Sequence, residues 1–205
     1  MFGWIWEGLS KEARQAAGWA GLQSLPRELY LKPDGSLGNR PVQEIYSLRE
    51  EQLKVHSPQV LDGGDYDLHV TGECLEIILK ITPAAGRCGL KLACSGDGQE
   101  MTLVGYDASK RVLFIDRSRS SLSGAAQQGA QSANLEIGSN EDLELHVFLD
   151  RSVIEVFANE RVSLTSRIYP TRVDSQGVKL FSESGKIKVS SLQIWQLKSI
   201  GLQEN

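Results

Sequence analysis

The period-2 run Leu143, Leu145, Val147, Leu149 constrains the fold most. Apolar side chains at every second position line one face of an extended strand and have no helical equivalent. The pattern recurs through residues 61–198. Tyr66, Leu68 and Val70 alternate, then Leu75, Ile77, Leu79 and Ile81. Leu90 and Leu92, Leu103 and Gly105, and Val112, Phe114 and Asp116 follow. After the run at 143–149 come Val153, Glu155 and Phe157, then Val178 and Leu180, then Ile187, Val189, Leu192 and Ile194. Turn residues separate these segments at Pro83 to Gly86, Ser95-Gly96-Asp97-Gly98, Asp107 to Lys110 and Ser184-Gly185-Lys186. About ten short strands with no helical period between them predict an all-β fold, a two-sheet antiparallel β-sandwich of jelly-roll or concanavalin-like type. The Gln/Ser/Ala-rich stretch Ser118 to Asn134 reads as a long loop, and no internal repeat is present.

Residues 1–60 have a different texture. They carry Trp4, Trp6 and Trp19 in apolar surroundings, which read as core or interface rather than as sugar platforms. SLPRELYLKPDGSL reads as a strand, a Pro-Asp-Gly turn and a second strand. From Pro41 to Glu51 the apolar spacing predicts a short helix with Pro41 in its first turn. Trp195, in LQIWQL, is expected in the sandwich core.

Composition excludes several functions. A formal charge of −4 offers no basic face for nucleic acid. The densest basic cluster, Arg117 and Arg119 with Lys110 and Arg111, reads as solvated strand ends and a turn. No apolar run approaches the roughly eighteen residues needed to span a membrane. MFGWIWEGLSKEAR lacks the basic and then apolar pattern of a secretory signal. Cys74, Cys88 and Cys94 sit in strand-like apolar contexts and are expected as buried free thiols, with a Cys88–Cys94 bridge left open. His56, His69 and His146 are scattered, so neither a metal nor another cofactor is expected.

The hairpin Asp150 to Tyr169, DRSVIEVFANERVSLTSRIY, turns at Asn159-Glu160-Arg161 and places charge where a half-buried strand normally has Val or Thr. Asp150 and Glu155 are an odd number of residues apart, so a regular strand points them to opposite faces, unsuited to the paired carboxylates of glycoside hydrolysis. A structural polar network is expected instead. Asp150 and Ser152 would shape the turn, and Glu155, facing Ser166 or Thr165, would pair with Arg167. No G-x-S-x-G elbow, phosphate loop or H-E-x-x-H motif occurs.

Several strings together resemble one family, the invertases, levanases and inulinases of glycoside hydrolase family 32. GWAGLQSLPRELYLKPDGSLGNRPVQEIYSLR is similar to the segment where their five-bladed propeller ends. LFIDRSRSSL, DRSVIEVFANERVSLTSRIYPT and VKLFSESGKIKVSSLQIWQLKSI resemble strands of their C-terminal β-sandwich. The resemblance implies a remnant of the last propeller blade at 1–40, a linker at 41–60 and the sandwich at 61–200. It implies no catalytic residue. The family's W-M-N-D-P-N-G and R-D-P motifs are absent, and Glu73-Cys74, which matches its E-C pair, lies within a sandwich strand.

The implied function is a non-catalytic module of a β-fructofuranosidase acting on sucrose, levan or inulin in the intact enzyme. A fructan-binding module, a partner-binding protein and a fragment of a longer fructosidase are the alternatives. A fructoside is the implied ligand. Phe2, Trp4, Ile5, Trp6, Trp19, Leu22 and Leu29 would be left without neighbouring blades, and so would pack on the sandwich, on a second chain or on a catalytic propeller. The family occurs both secreted and in the cytosol, so the resemblance assigns no compartment.

Overall fold

Each apolar alternation becomes a strand in the computed structural model, which describes residues 1–200. β1 (Trp4–Ile5), helix α1 (Lys11–Ala17), β2 (Leu22–Gln23), β3 (Arg27–Leu31) and β4 (Leu37–Pro41) come first, followed by a 3-10 helix over Gln43–Leu48. Then come β5 (Arg49–Gln52), β6 (Val60–Thr71), β7 (Cys74–Thr82), β8 (Arg87–Cys94), β9 (Met101–Asp107) and β10 (Val112–Arg119). β11 (Ala130–Asn134), β12 (Leu143–Asp150), β13 (Val153–Ala158), β14 (Val162–Arg167) and β15 (Gly177–Leu197) complete the elements of the described residues.

Antiparallel pairing arranges these strands in two layers joined through β15. One layer runs β11-β10-β9-β8-β15-β6, the other β5-β15-β7-β12-β13-β14. The first part of β15, Gly177 to Ser182, lies between β6 and β8, whereas Val189 to Gln196 lies against β7. The strand changes layer at Ser184-Gly185-Lys186, which the sequence marks as a turn. Gly185 has φ 76°, and the Ser182 hydroxyl donates to its carbonyl at 2.9 Å, so the backbone bends without ending the strand.

The two inner faces form one core. Leu75, Ile77, Leu79, Ile81, Leu145, Val147, Ile154 and Val156 from one layer meet Leu90, Leu92, Val104, Leu113, Ile115, Val178 and Leu180 from the other. Fully burying each such side chain is worth about 1.5–3 kcal/mol, which is why the alternation was legible.

Three local expectations change, and one helix is added. Ala130–Asn134, expected as loop, pairs with β10 because polar side chains suit a sheet edge. The helix expected from Pro41 is a 3-10 turn with only Ile45 buried, and the chain is already extended at Arg49. Helix α1 was not anticipated, since it buries nothing. Its ends are set by caps, the Ser10 hydroxyl accepting from Ala13 N–H and Gly18 in the left-handed region. Trp195 is buried, but on the outer face of its layer rather than between the layers.

Candidate functional site: a buried polar face under the N-terminal segment

The strands that send leucines inward send a charged and aromatic set outward. Register aligns Trp195, Glu76, Phe148, Glu155 and Thr165 in one row across β15, β7, β12, β13 and β14. The next row holds Ile78, His146, Phe157 and Ser163. An ordinary sandwich would leave this face in water. Here residues 24–49 cover it, and Ile45, Phe148 and Phe157 form a second apolar cluster with Leu25, Val42 and Leu197 around it.

Covering the face buries its charges, and each buried carboxylate has a partner from the covering segment. Glu155 is paired with Arg27, whose Nη1 also donates to Ser163 Oγ at 2.8 Å. Glu155 further accepts from Leu25 N–H at 2.6 Å and Thr165 Oγ1 at 3.1 Å, and the Arg27 guanidinium lies 5.1 Å from the Phe157 ring centre. Glu76, fully buried, receives two hydrogen bonds from Arg49, at 2.6 Å each, and lies 2.6 Å from His146 Nε2. Burial pushes the Glu76 carboxyl upward, but the Arg49 and His146 contacts outweigh it and leave the pKa below its ordinary value. Arg49 is sandwiched between Tyr46, at 4.2 Å, and Trp195, at 3.9 Å.

The ion pair expected between Glu155 and Arg167 does not form. Arg167 stands opposite Val153, while Glu155 stands opposite Thr165. Arg167 donates to Ser152 Oγ at 3.0 Å and meets Glu7 at 3.3 Å, and Glu7 also accepts from the Tyr169 hydroxyl. Burial lowers the Arg167 pKa, with Glu7 opposing. Asp150 is exposed at the end of β12, where it accepts from the Cys74 thiol at 3.5 Å. Ser152 and Arg167 therefore meet, whereas Asp150 and Glu155 serve separate contacts. Chain distance explains the misassignment. The true partners, Arg27 and Glu7, lie far upstream and join the hairpin only through the tertiary fold.

The Asn159 turn completes the contact. Asn159 and Glu160 have φ 48° and 49°, the left-handed pair of a tight hairpin turn despite the missing glycine. Asn159 Oδ1 accepts from Glu144 N–H, and its Nδ2 donates to Glu141 and to the Asp142 carbonyl, each at 2.9 Å, which fixes the tip. Tyr30 donates to Glu160, and Lys32 to the Asn159 carbonyl, so β3 is tied to that tip.

Three further features escaped the sequence. Glu100, fully buried, accepts from Leu122 N–H, Thr171 N–H and hydroxyl, Arg172 N–H and Ser175 hydroxyl. Burial alone would raise its pKa, but these bonds bring it down to about 2. Arg117, expected in solvent, is 5% exposed. A cleft of about 330 Å³ runs between the N-terminal segment and β10 and β14, with Trp4, Trp6, Arg117 and Arg167 among its walls. Trp4, Trp6 and Trp19 are exposed beside this region, as are Met1 and Phe2, while Ile5, expected among the orphaned residues, is buried.

Chemically this face is a clamp. Glu76 and Glu155 are both occupied by guanidinium groups, so neither is available as a general acid or base. Among the described residues no three His, Cys, Asp or Glu side chains gather as metal ligands.

Comparison with known proteins identifies the architecture. The structure superimposes on fructan 1-exohydrolase IIa from Cichorium intybus with TM-score 0.87, at 24% identity, covering 97% of this chain and 45% of that one. The two share a fold over nearly the whole of this chain. A second crystal structure of that enzyme, of a variant, contains 1-kestose. In sequence, the chain is 34% identical to the sucrose-6-phosphate hydrolase of Zymomonas mobilis, over 97% of this chain and 38% of that protein. It is 34% identical to the levanase of Bacillus subtilis, over 89% of this chain and 28% of that protein. The family model "Glycosyl hydrolases family 32 C terminal" matches residues 44–196. The chain belongs to glycoside hydrolase family 32 and comprises its C-terminal module, spanning well under half the length of these relatives.

Proposed function

We propose that this chain serves as the non-catalytic brace of a β-fructofuranosidase-type hydrolase: it holds propeller-derived strands against a rigid sandwich. One observation carries this. The segment before residue 50 is locked to the outer face by Arg27–Glu155, Arg49–Glu76 and Glu7–Arg167, while its opposite side presents Phe2, Trp4, Trp6 and Trp19 to solvent. A strip fixed by charge on one side and bare and aromatic on the other is built to be built upon. In this reading residues 1–40 are propeller strands, 41–60 the linker and 61–200 the sandwich. The Ser152–Arg167 and Arg27–Glu155 contacts position strands and do not act on substrate.

The purified chain is therefore expected to release no fructose from sucrose, sucrose 6-phosphate, levan or inulin. Release that persists in independently purified preparations would overturn the reading. Light scattering provides the positive test. Concentration-dependent association should diminish in a W4S/W6S variant with unchanged circular dichroism, and a strictly monomeric wild type would count against an interface. The exposed indoles also favour a second reading, fructan binding by ring stacking. Titration calorimetry with inulin and levan decides it, since absence of heat at millimolar ligand would reject it.

A further inference from the structure

The cleft between the N-terminal segment and β14 concentrates polar atoms that have no protein partner. Arg117 Nε, Ser166 Oγ and Arg167 Nε are buried there without a hydrogen bond, while Arg167 Nη1 faces Glu7 at 3.3 Å. Arg167 has Glu7 as counter-charge. Arg117 has no carboxylate among the described residues. The one protein hydrogen bond of its guanidinium runs from Nη1 to the Arg167 carbonyl, at 3.5 Å. No Asp or Glu lines the cleft.

A guanidinium does not deprotonate in a protein, so burial at 5% exposure leaves a full, uncompensated positive charge facing this space. Water can satisfy its N–H groups but supplies no opposite charge. Donors spread over two guanidinium groups and a hydroxyl suit a tetrahedral oxyanion, which offers several acceptors at once. We propose that this cleft is a phosphate-binding site, with Arg117 supplying the charge and Arg167 and Ser166 the further donors. The phosphate is free or the monoester of a sugar. The volume of about 330 Å³ admits a hexose phosphate, and Trp4 and Trp6 would border the ring.

The test uses the full chain with inorganic phosphate, against sodium chloride at matched ionic strength. Phosphate is expected to raise the melting midpoint by about 2–4 °C beyond chloride and to shift the Trp4 and Trp6 indole N–H resonances while Trp195 stays still. R117M should weaken phosphate binding at least about tenfold, R117K should retain much of it, and K110Q, altering an exposed charge, should leave it unchanged. Because Arg117 is unpaired, R117M should be as stable as wild type or more so without phosphate. Comparing a hexose 6-phosphate with phosphate and with the plain hexose separates the sources. Tighter binding of the ester identifies a phosphosugar, and equal binding a free anion. A phosphate effect no larger than that of chloride, indole resonances that do not move, or a phosphate response preserved in R117M would overturn the proposal.

Discussion

Replacing Arg27 by Met tests the clamp at one of its buried pairs. The Glu155 side chain is 3% exposed and that of Arg27 12%, so the two halves are not equivalent. R27M strands a carboxylate against Phe157 beneath the covering segment and is expected to cost about 3–5 kcal/mol. E155Q keeps an oxygen for Leu25 N–H and leaves the better solvated guanidinium behind, costing about 1–3 kcal/mol. The double variant should recover about 2 kcal/mol of the summed losses, because the charges are removed together. With a urea m-value of about 2–3 kcal/mol/M, R27M should lower the midpoint by about 1–2 M. Equilibrium denaturation measures this, and proteolysis locates it, since cleavage before residue 50 should precede loss of the sandwich. An R27M protein within 1 kcal/mol of wild type, or strictly additive single variants, would refute the assignment of Glu155 to Arg27.

Glu100 predicts an acid limb. Its folded-state pKa, about 2, lies below the unperturbed 4.5, so its stabilisation is complete above 4.5 and is lost as pH falls toward 2. E100Q should flatten the stability profile in that window and cost about 2 kcal/mol at neutral pH, measured by thermal melts from pH 2 to 7; an unchanged slope would reject the clasp. Gly105 faces Gly89 across β8 and β9, and a Cβ there would collide with the Cys88 carbonyl. G105A should therefore destabilise by about 3 kcal/mol or more, and a neutral effect in urea would show that the strands can part. Burial raises the Cys88 and Cys94 thiols to about 11. Both should resist alkylation at pH 8 in the native state and react once unfolded, and rapid native labelling counted by mass would contradict their burial.

Glu155 shows where sequence reasoning stops. Its oddness on an apolar strand was visible, and counting from the turn placed it opposite Ser166 or Thr165, of which the structure selects Thr165, because hairpin register is set locally. Its partner was not. Arg27 lies in LPRELYL, where an arginine on a short strand looks like any solvated residue. Glu76, outward on a strand of leucines and isoleucines, gave no signal, because nothing local says that the outer face is covered. Glu100 follows a turn and carries no sequence signal, yet five backbone and hydroxyl donors converge on it from distant loops.

Alternation and turn chemistry therefore determined the apolar strands, the sandwich and the β3–β4 hairpin from sequence alone, since each depends on residues a few positions apart, whereas the polar edge strand β11 did not show. Tertiary structure decided that the sheet has two buried faces, that Arg27, Arg49 and Glu7 neutralise or oppose charges far downstream, and that Arg117 is enclosed. The physical reason is burial. Whether a charge needs a partner depends on what covers it, and the cover comes from a part of the chain that no local pattern connects to it.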